Sequence, residues 1–512
     1  MTRLGHVKLV LIVSMLVVIL AQPVIAKQFE PHEPRQIVLT WQSDPMTTMT
    51  VTWRTDIEAP SKVYFSTDKD VGIQEYRQQE AETFTFEGTT AWIHSAELTA
   101  LTPGETYWVV VETGNQKSEK FCFQTAPAES RDLVFVIGAD AQHLRTQMTV
   151  IREVLGRAAQ ENPDAFIYSG DFVNAELSDY EWDLFFDLWH ELMITDEGRR
   201  IPIIPAVGNH EVIAGFGGSK EKAPFYYNRF RLPQPEAYHV IQYGPNLTII
   251  SLDSNHTSSV EGEQLLWLEN TLKEHQDSEW LLAHSHVGSW WGTDSVDTKI
   301  RFYWVPLFEK YQVDLVHSGH SHSYMRTPSI YGLGDIIEEI DNMIETGLAR
   351  AKADFDSSKN YAPPLQKNLV QLSRGNWQDK GFDTITDALQ EVAYMLSLFV
   401  LQTGEGTPQR VFDQVSSTRL YEEFWNSVLL AEEYDDLVDE EKGVVYLVGG
   451  GLGAELSPVS SRRPWWKAEA RSEYHYRRLT LDSSRNELRV EPFFYYPDEE
   501  RWEVRDAITI SK

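Results

Sequence analysis

One cysteine, Cys122, in 512 residues rules out any disulfide within the chain, so stability has to come from a packed core and from whatever ions it binds. Cys122 lies in the strand-like run Lys120-Phe121-Cys122-Phe123 and reads as a packing residue. Positive charge is also scarce: 45 Lys and Arg stand against 77 Asp and Glu, a formal charge of −32. Such a surface repels nucleic acid and anionic membranes, which excludes both as default partners. Any anionic ligand then needs positive charge supplied locally, as bound metal ions would do. Long apolar runs are missing beyond the N-terminus. There, Arg3 and Lys8 precede a run from Leu9 to Leu20 broken only by Ser14, and Val24-Ile25-Ala26 follows. This pattern reads as a secretory signal over 1–26, with a retained anchor as the alternative, because the run is short for a membrane span. The expected location is secreted or periplasmic, with no stable membrane span after cleavage. Internal repeats and long low-complexity segments are absent too. Aromatic residues are plentiful, with 16 Trp, 22 Tyr and 23 Phe, and 42% of the chain is hydrophobic, which excludes disorder. Nothing in the composition fixes the oligomeric state. Asn246 and Asn255 stand in glycosylation sequons.

Residues 31–127 carry seven short runs rich in Val, Thr and aromatics, among them Met49–Arg54 and Trp92–Leu98. Alternation such as Met49, Val51, Trp53 between threonines marks half-buried strands. Seven strands in so short a stretch predict a β-sandwich like fibronectin type III. After the linker Thr125-Ala126-Pro127-Ala128, strands and helices alternate, predicting an α/β domain over 131–332 and 443–510, a β-sheet sandwich flanked by helices. A helix is expected over Asp297–Tyr311 and a single strand over Trp502–Ile510. The stretch 333–442 lacks this rhythm, holds 22 Asp and Glu against 9 Lys and Arg, and reads as an acidic, mainly helical insertion.

Five predicted strands are followed at once by metal-type ligands: Gly138-Ala139-Asp140-Ala141-Gln142, Gly170-Asp171, Gly208-Asn209-His210-Glu211, Ala283-His284-Ser285-His286 and Gly319-His320-Ser321-His322. Carboxyl ends of parallel strands share one edge, so loops distant in sequence converge there. Two Asp, one Asn and at least three His suit Mn, Fe or Zn. A carboxylate such as Asp171 can bridge two ions about 3.5–4 Å apart.

The order Asp, Gly-Asp, Gly-Asn-His-Glu, His, Gly-His-X-His resembles that of the calcineurin-like metallophosphoesterases. The chain is most similar to the purple acid phosphatases, through Thr47–Arg54, Leu101–Tyr107, Gln264–Glu269, Gly319–Arg326 and Val444–Gly450. The resemblance covers roughly 31–332 and 443–510. It implies a dinuclear centre of two divalent or trivalent ions (Fe, Mn or Zn), one held by Asp140, Asp171 and His322, the other by Asp171, Asn209, His284 and His320. It also implies attack by a metal-bound hydroxide on a small phosphate ester, with His210 and Asn209 contacting the phosphate and His210 aiding the leaving group. His286 is expected at the substrate or behind the ligands, and Gln142 as a further ligand through its carbonyl. His143 and His317 read as structural, and Trp290-Trp291 as packing residues or a pocket wall. The purple colour of that family needs a tyrosine where this chain has Asn174.

The function expected is therefore a phosphomonoesterase like the acid phosphatases. A phosphodiesterase or nucleotidase of the same superfamily is the alternative, and a non-catalytic surface-binding protein the remote one.

Overall fold

The computed structural model describes residues 33–290, 295–334, 442–459 and 466–512, with isolated positions between 349 and 439. The expected signal over 1–26, Trp291, and the insertion 333–442 apart from its ends and those positions lie outside the described residues. No described helix is long and apolar enough to cross a membrane.

The first domain contains β1 (Arg35–Thr40), β2 (Met49–Thr55), β3 (Ser61–Ser66), β4 (Arg77–Glu80), β5 (Glu82–Phe84), β6 (Trp92–Leu98), β7 (Thr106–Thr113), β8 (Gln116–Lys117) and β9 (Phe121–Gln124). They form two antiparallel sheets, β1-β2-β6-β5 and β4-β3-β7-β8, with β9 paired to β7. The alternating Met49, Val51 and Trp53 turn inward onto Val63, Phe65, Val109 and Val111 from the facing sheet. Cys122 is buried there, and burial pushes its thiol up to about 11, so it is a packing residue.

The second domain follows as β10 (Leu133–Gly138), α1 (Leu144–Ala159), β11 (Ala165–Ser169), α2 (Asp179–Leu192), β12 (Ile203–Ala206), α3 (Pro224–Arg229), β13 (His239–Tyr243), β14 (Leu247–Ser251), α4 (Glu263–Glu274), β15 (Trp280–Ser285), α5 (Ser295–Tyr303), α6 (Val305–Lys310), β16 (Leu315–Ser318), β17 (Tyr324–Ile330), β18 (Val444–Val448), β19 (Glu469–Arg471), β20 (Tyr474–Asp482), β21 (Glu487–Tyr496), β22 (Arg501–Val504) and β23 (Ile508–Ser511). One sheet runs β12-β11-β10-β20-β21-β22 with β23 also on β21; the other runs β13-β14-β15-β16-β18-β17-β19. Strand alternation explains the layers. Phe135, Ile137 and Ile167 meet Ile249, Leu282 and Leu447 between the sheets. Val136, Phe166 and Tyr168 face α1 and α2 on one outer side, and Ile250, Ala283 and Val316 face the α4–α6 side on the other. The first domain docks on α2, where Gln36 donates to Asp187 at 2.8 Å and Arg54 pairs with Asp183.

Two expectations about elements change, and one about a sequon. The single helix over Asp297–Tyr311 is two, α5 and α6, because Pro306 stands in the first turn of α6 and cannot continue a helix. The single strand over Trp502–Ile510 is β22 and β23, parted at Asp506, whose φ is 57° and whose carboxylate accepts from Arg326 and Tyr324. The sequon at Asn246 is buried, with its amide on Ser130 and Glu279, so it offers no surface for a glycan.

Strands β10, β11 and β12 are mutually parallel, as are β14, β15, β16 and β18. Their carboxyl ends therefore deliver Asp140, Asp171, Asn209, His286 and His320 to one edge of the sandwich.

Candidate metal centre

Three of the residues at this edge leave their strands in the left-handed region: Asp140 at φ 66°, Asp171 at 60° and His320 at 64°. Such backbone is costly for residues other than glycine and clusters at functional sites. Glycines make room for it. A side chain at Gly208 would run into Asp171, and one at Gly319 or Gly450 into Asp140. The carboxylates are thus clasped by backbone, with Asp140 Oδ2 accepting from the His320 N–H at 3.0 Å and Asp171 Oδ1 from the His210 N–H at 3.0 Å. Behind them Glu211 accepts from the N–H groups of Asp171, Phe172 and Gly208, each at 2.8 Å, and so fixes the turn that presents Asp171.

Among the described residues, two groups of potential ligand atoms lie within 4.8 Å of one another, one from Asp140, Asp171 and His322, the other from Asp171, His286 and His320. Asp171 belongs to both. In the second group, His286 Nε2 is 3.2 Å from Asp171 Oδ2 and 2.9 Å from Asn209 Oδ1, while His320 Nδ1 is 3.0 Å from the same Asn209 oxygen. His286 Nδ1 donates to the Ser169 carbonyl at 2.8 Å, so the neutral ring turns the Nε2 lone pair inward. In the first group, His322 Nδ1 donates to the Glu455 carbonyl at 2.9 Å, which leaves Nε2 facing Asp140 Oδ1 at 3.5 Å. Two buried oxygens there, Asp140 Oδ1 and Gln142 Oε1, have no hydrogen-bond partner. The Gln142 amide nitrogen lies 2.9 Å from His322 Nε2, and turning that amide over presents its carbonyl to the cluster. Lone pairs converging on a common point, with buried oxygens left over, fit cations.

The electrostatics agree. Burial disfavours charge on Asp171, yet the His286 and His210 imidazoles outweigh it and hold the carboxyl below the usual carboxylate range. Burial opposes charge on His286 as well, but the neighbouring Asp171 carboxylate outweighs it and raises the imidazole above its ordinary range. These acceptors favour a positive charge among them, and a proton on His286 competes with a metal ion for that place.

The sequence assignment needs one correction. His284 does not join the cluster. It sits inside the sheet between Ser251 and His317, with Nε2 on Ser251 Oγ at 2.6 Å and Nδ1 on Ser169 Oγ at 3.1 Å. Burial holds its pKa near 3, so it is a neutral buried residue. His286, expected at the substrate or behind the ligands, stands where His284 was expected. His317 is structural, with Nδ1 on Ser169 Oγ at 2.7 Å and Nε2 accepting from Arg477 at 2.9 Å. Trp290 is packed in the core against Tyr446 and Trp466.

His210 stands at the mouth with a third of its side chain exposed, its Nε2 4.0 Å from Asp171 Oδ2 and its Nδ1 donating to the Asn174 carbonyl at 3.0 Å. Asn174 itself is exposed and works here through its backbone. Phe216 was not among the residues expected at the site; its exposed ring lies 6.3 Å from the His320 ring and is tilted against that of buried His256. Its glycine-rich setting, Ala214-Gly215-Phe216-Gly217-Gly218, was the available signal.

Comparison with known proteins places this geometry. The family model described as Calcineurin-like phosphoesterase matches residues 139–324, and that described as Purple acid Phosphatase, N-terminal domain, matches 34–125. The chain belongs to the calcineurin-like metallophosphoesterases. Within them it is a purple acid phosphatase-like protein, carrying that family's N-terminal domain ahead of the phosphoesterase domain. It is 27% identical to "Probable purple acid phosphatase 20" of Arabidopsis thaliana, over 43% of this chain and 52% of that one. It is 29% identical to "Probable cyclic nucleotide phosphodiesterase" of Moraxella catarrhalis, over 33% of this chain and 62% of that one. The chain thus spans about half to three fifths of these curated relatives. A purple acid phosphatase from yellow lupin seeds shares the fold, with a TM-score of 0.61 at 16% identity, covering 94% of this chain and 75% of that one.

Proposed function

We propose that this protein is a secreted or periplasmic dimetal phosphoester hydrolase that acts on small phosphomonoesters. One observation carries the reading: two convergent sets of ligand atoms, mostly buried, share Asp171. We assign Asp140, Asp171 and His322, with Gln142 beside them, to one ion, and Asp171, Asn209, His286 and His320 to the other. Fe, Mn and Zn suit this mixture of oxygen and nitrogen donors. Two such ions lower the pKa of water and neutralise the anionic oxygens of an ester, which a chain of charge −32 otherwise repels.

The protein's own residues do the rest. Glu211 and the surrounding glycines hold Asp171 in place between the two sets. Ser169 and Glu455 fix the tautomers of His286 and His322. His210 contacts the phosphate and protonates the leaving oxygen. Its Nδ1 is engaged by the Asn174 carbonyl, so Nε2 is the nitrogen left to face the phosphate and the leaving oxygen.

Phosphodiester hydrolysis is the second reading, favoured by the likeness to the Moraxella relative. The secreted location rests on the Arg3, Lys8 and Leu9–Leu20 pattern. The purified, metal-loaded protein assayed on phenyl phosphate and bis(phenyl) phosphate decides between the two activities; hydrolysis of neither rejects both.

A further inference from the structure

His143 precedes α1 at the rim of the same cluster and is only partly buried. Its ring stands edge to face against that of His322, with centroids 5.9 Å apart. Both rings are held by one residue. The Glu455 N–H donates to His143 Nδ1 at 2.9 Å, and the Glu455 carbonyl accepts from His322 Nδ1 at 2.9 Å. A carbonyl takes only a donor, so His322 carries its proton on Nδ1 and turns a lone pair to Asp140. A backbone N–H needs an acceptor, so Nδ1 of His143 is the lone pair and the neutral ring carries its proton on Nε2. One peptide residue thus sets opposite tautomers in adjacent rings. His322 is made a ligand and His143 a hydrogen-bond donor.

His210 differs in the same respect. Its Nδ1 donates to Asn174, so its neutral form shows a lone pair at Nε2. Of the two histidines at the rim, His143 alone offers an N–H without first taking up a proton. From these tautomers we infer that His143 binds substrate, donating from Nε2 to a phosphoryl oxygen on the Asp140–His322 side of the cluster. Because this rests on the phosphoesterase reading above, the test separates the two.

The test uses the full chain loaded with metal. In His143→Phe the ring volume stays and the N–H is lost, whereas His143→Gln keeps an N–H. Metal content, inhibition by inorganic phosphate, and kcat and KM for phenyl phosphate are measured for each. In His143→Phe both ions are retained, phosphate inhibition weakens by about 10- to 100-fold and KM rises by a similar factor. His143→Gln recovers a large part of both. Unchanged phosphate inhibition in folded His143→Phe overturns the inference, and so does loss of an ion, which would make His143 a ligand. If His143→Phe melts far below the wild type, His143→Ala supplies the same comparison. A wild-type protein that neither hydrolyses phenyl phosphate nor binds phosphate rejects the phosphoesterase reading instead.

Discussion

His286 and Ser169 meet through a hydrogen bond of 2.8 Å, from the imidazole Nδ1 to the backbone carbonyl, and that bond aims Nε2 at Asp171, Asn209 and His320. Two residues earlier, His284 has both nitrogens on serine hydroxyls. The two histidines therefore separate by experiment. His286→Asn is expected to lose one of two bound ions and about 10³-fold in activity. His284→Asn keeps both ions and lowers the melting temperature. Metal analysis of the two purified variants checks this; the reverse pattern would restore His284 as the ligand.

His210 is placed to move a proton without holding an ion. His210→Ala is expected to cut turnover about 10²- to 10⁴-fold while metal content stays within error of wild type. Loss of metal in step with activity would make His210 a ligand or a structural residue.

The protein is expected to lack the violet absorption of tyrosine-bound ferric iron. Asn174 is exposed at the position in question and cannot supply a phenolate. Tyr168 is fully buried, stacked on Phe172 with ring centroids 4.1 Å apart, and burial holds its hydroxyl far above the usual tyrosine range. A visible spectrum of iron-loaded protein is the check, and a strong violet band would mean that another tyrosine reaches the metal.

Acid destabilises this fold by a route independent of the metals. Burial lowers both His94 and His239 to about 4, from an ordinary value of 6.5. The folded protein binds fewer protons than the unfolded chain between those values, so stability is full above about pH 6.5 and is lost as pH falls towards 4. Each residue accounts for about 3 kcal/mol of that loss. The His239 ring is buried and its lowered pKa comes from that burial, so His239→Leu is expected to flatten the fall by one residue's share. Melting temperatures of both proteins from pH 7.5 to 4.5 measure the slope; parallel curves would contradict it.

Much of the candidate site was legible because its potential ligands follow a strand-end pattern. Asp140 comes two residues after β10 ends, Asp171 two after β11 and His320 two after β16. The misplacement of His284 shows where legibility stops. The apolar run Trp280–Ala283 suggests a strand ending before His284, but β15 continues through Ser285, in register with Ser251 on one side and His317 and Ser318 on the other. A histidine hydrogen-bonded to serines inside a sheet looks polar in sequence and is buried in the fold. The strands β13 and β17 were missed for related reasons. His239–Tyr243 is short and begins with a polar residue, and Tyr324–Ile330 contains Pro328 where its register to β18 shifts between Arg326 and Ser329. The roles of His143 and Glu455 depend on a contact across more than 300 residues, which no local pattern encodes.

Asp171 belongs to both groups of potential ligand atoms, so one substitution there reaches both proposed ions. Metal content of purified wild type and Asp171→Asn, measured on the samples assayed for phenyl phosphate hydrolysis, tests it directly. About two ions per wild-type chain are expected, with both ions weakened and hydrolysis abolished in the variant. An Asp171→Asn protein that keeps two ions and full activity would contradict it.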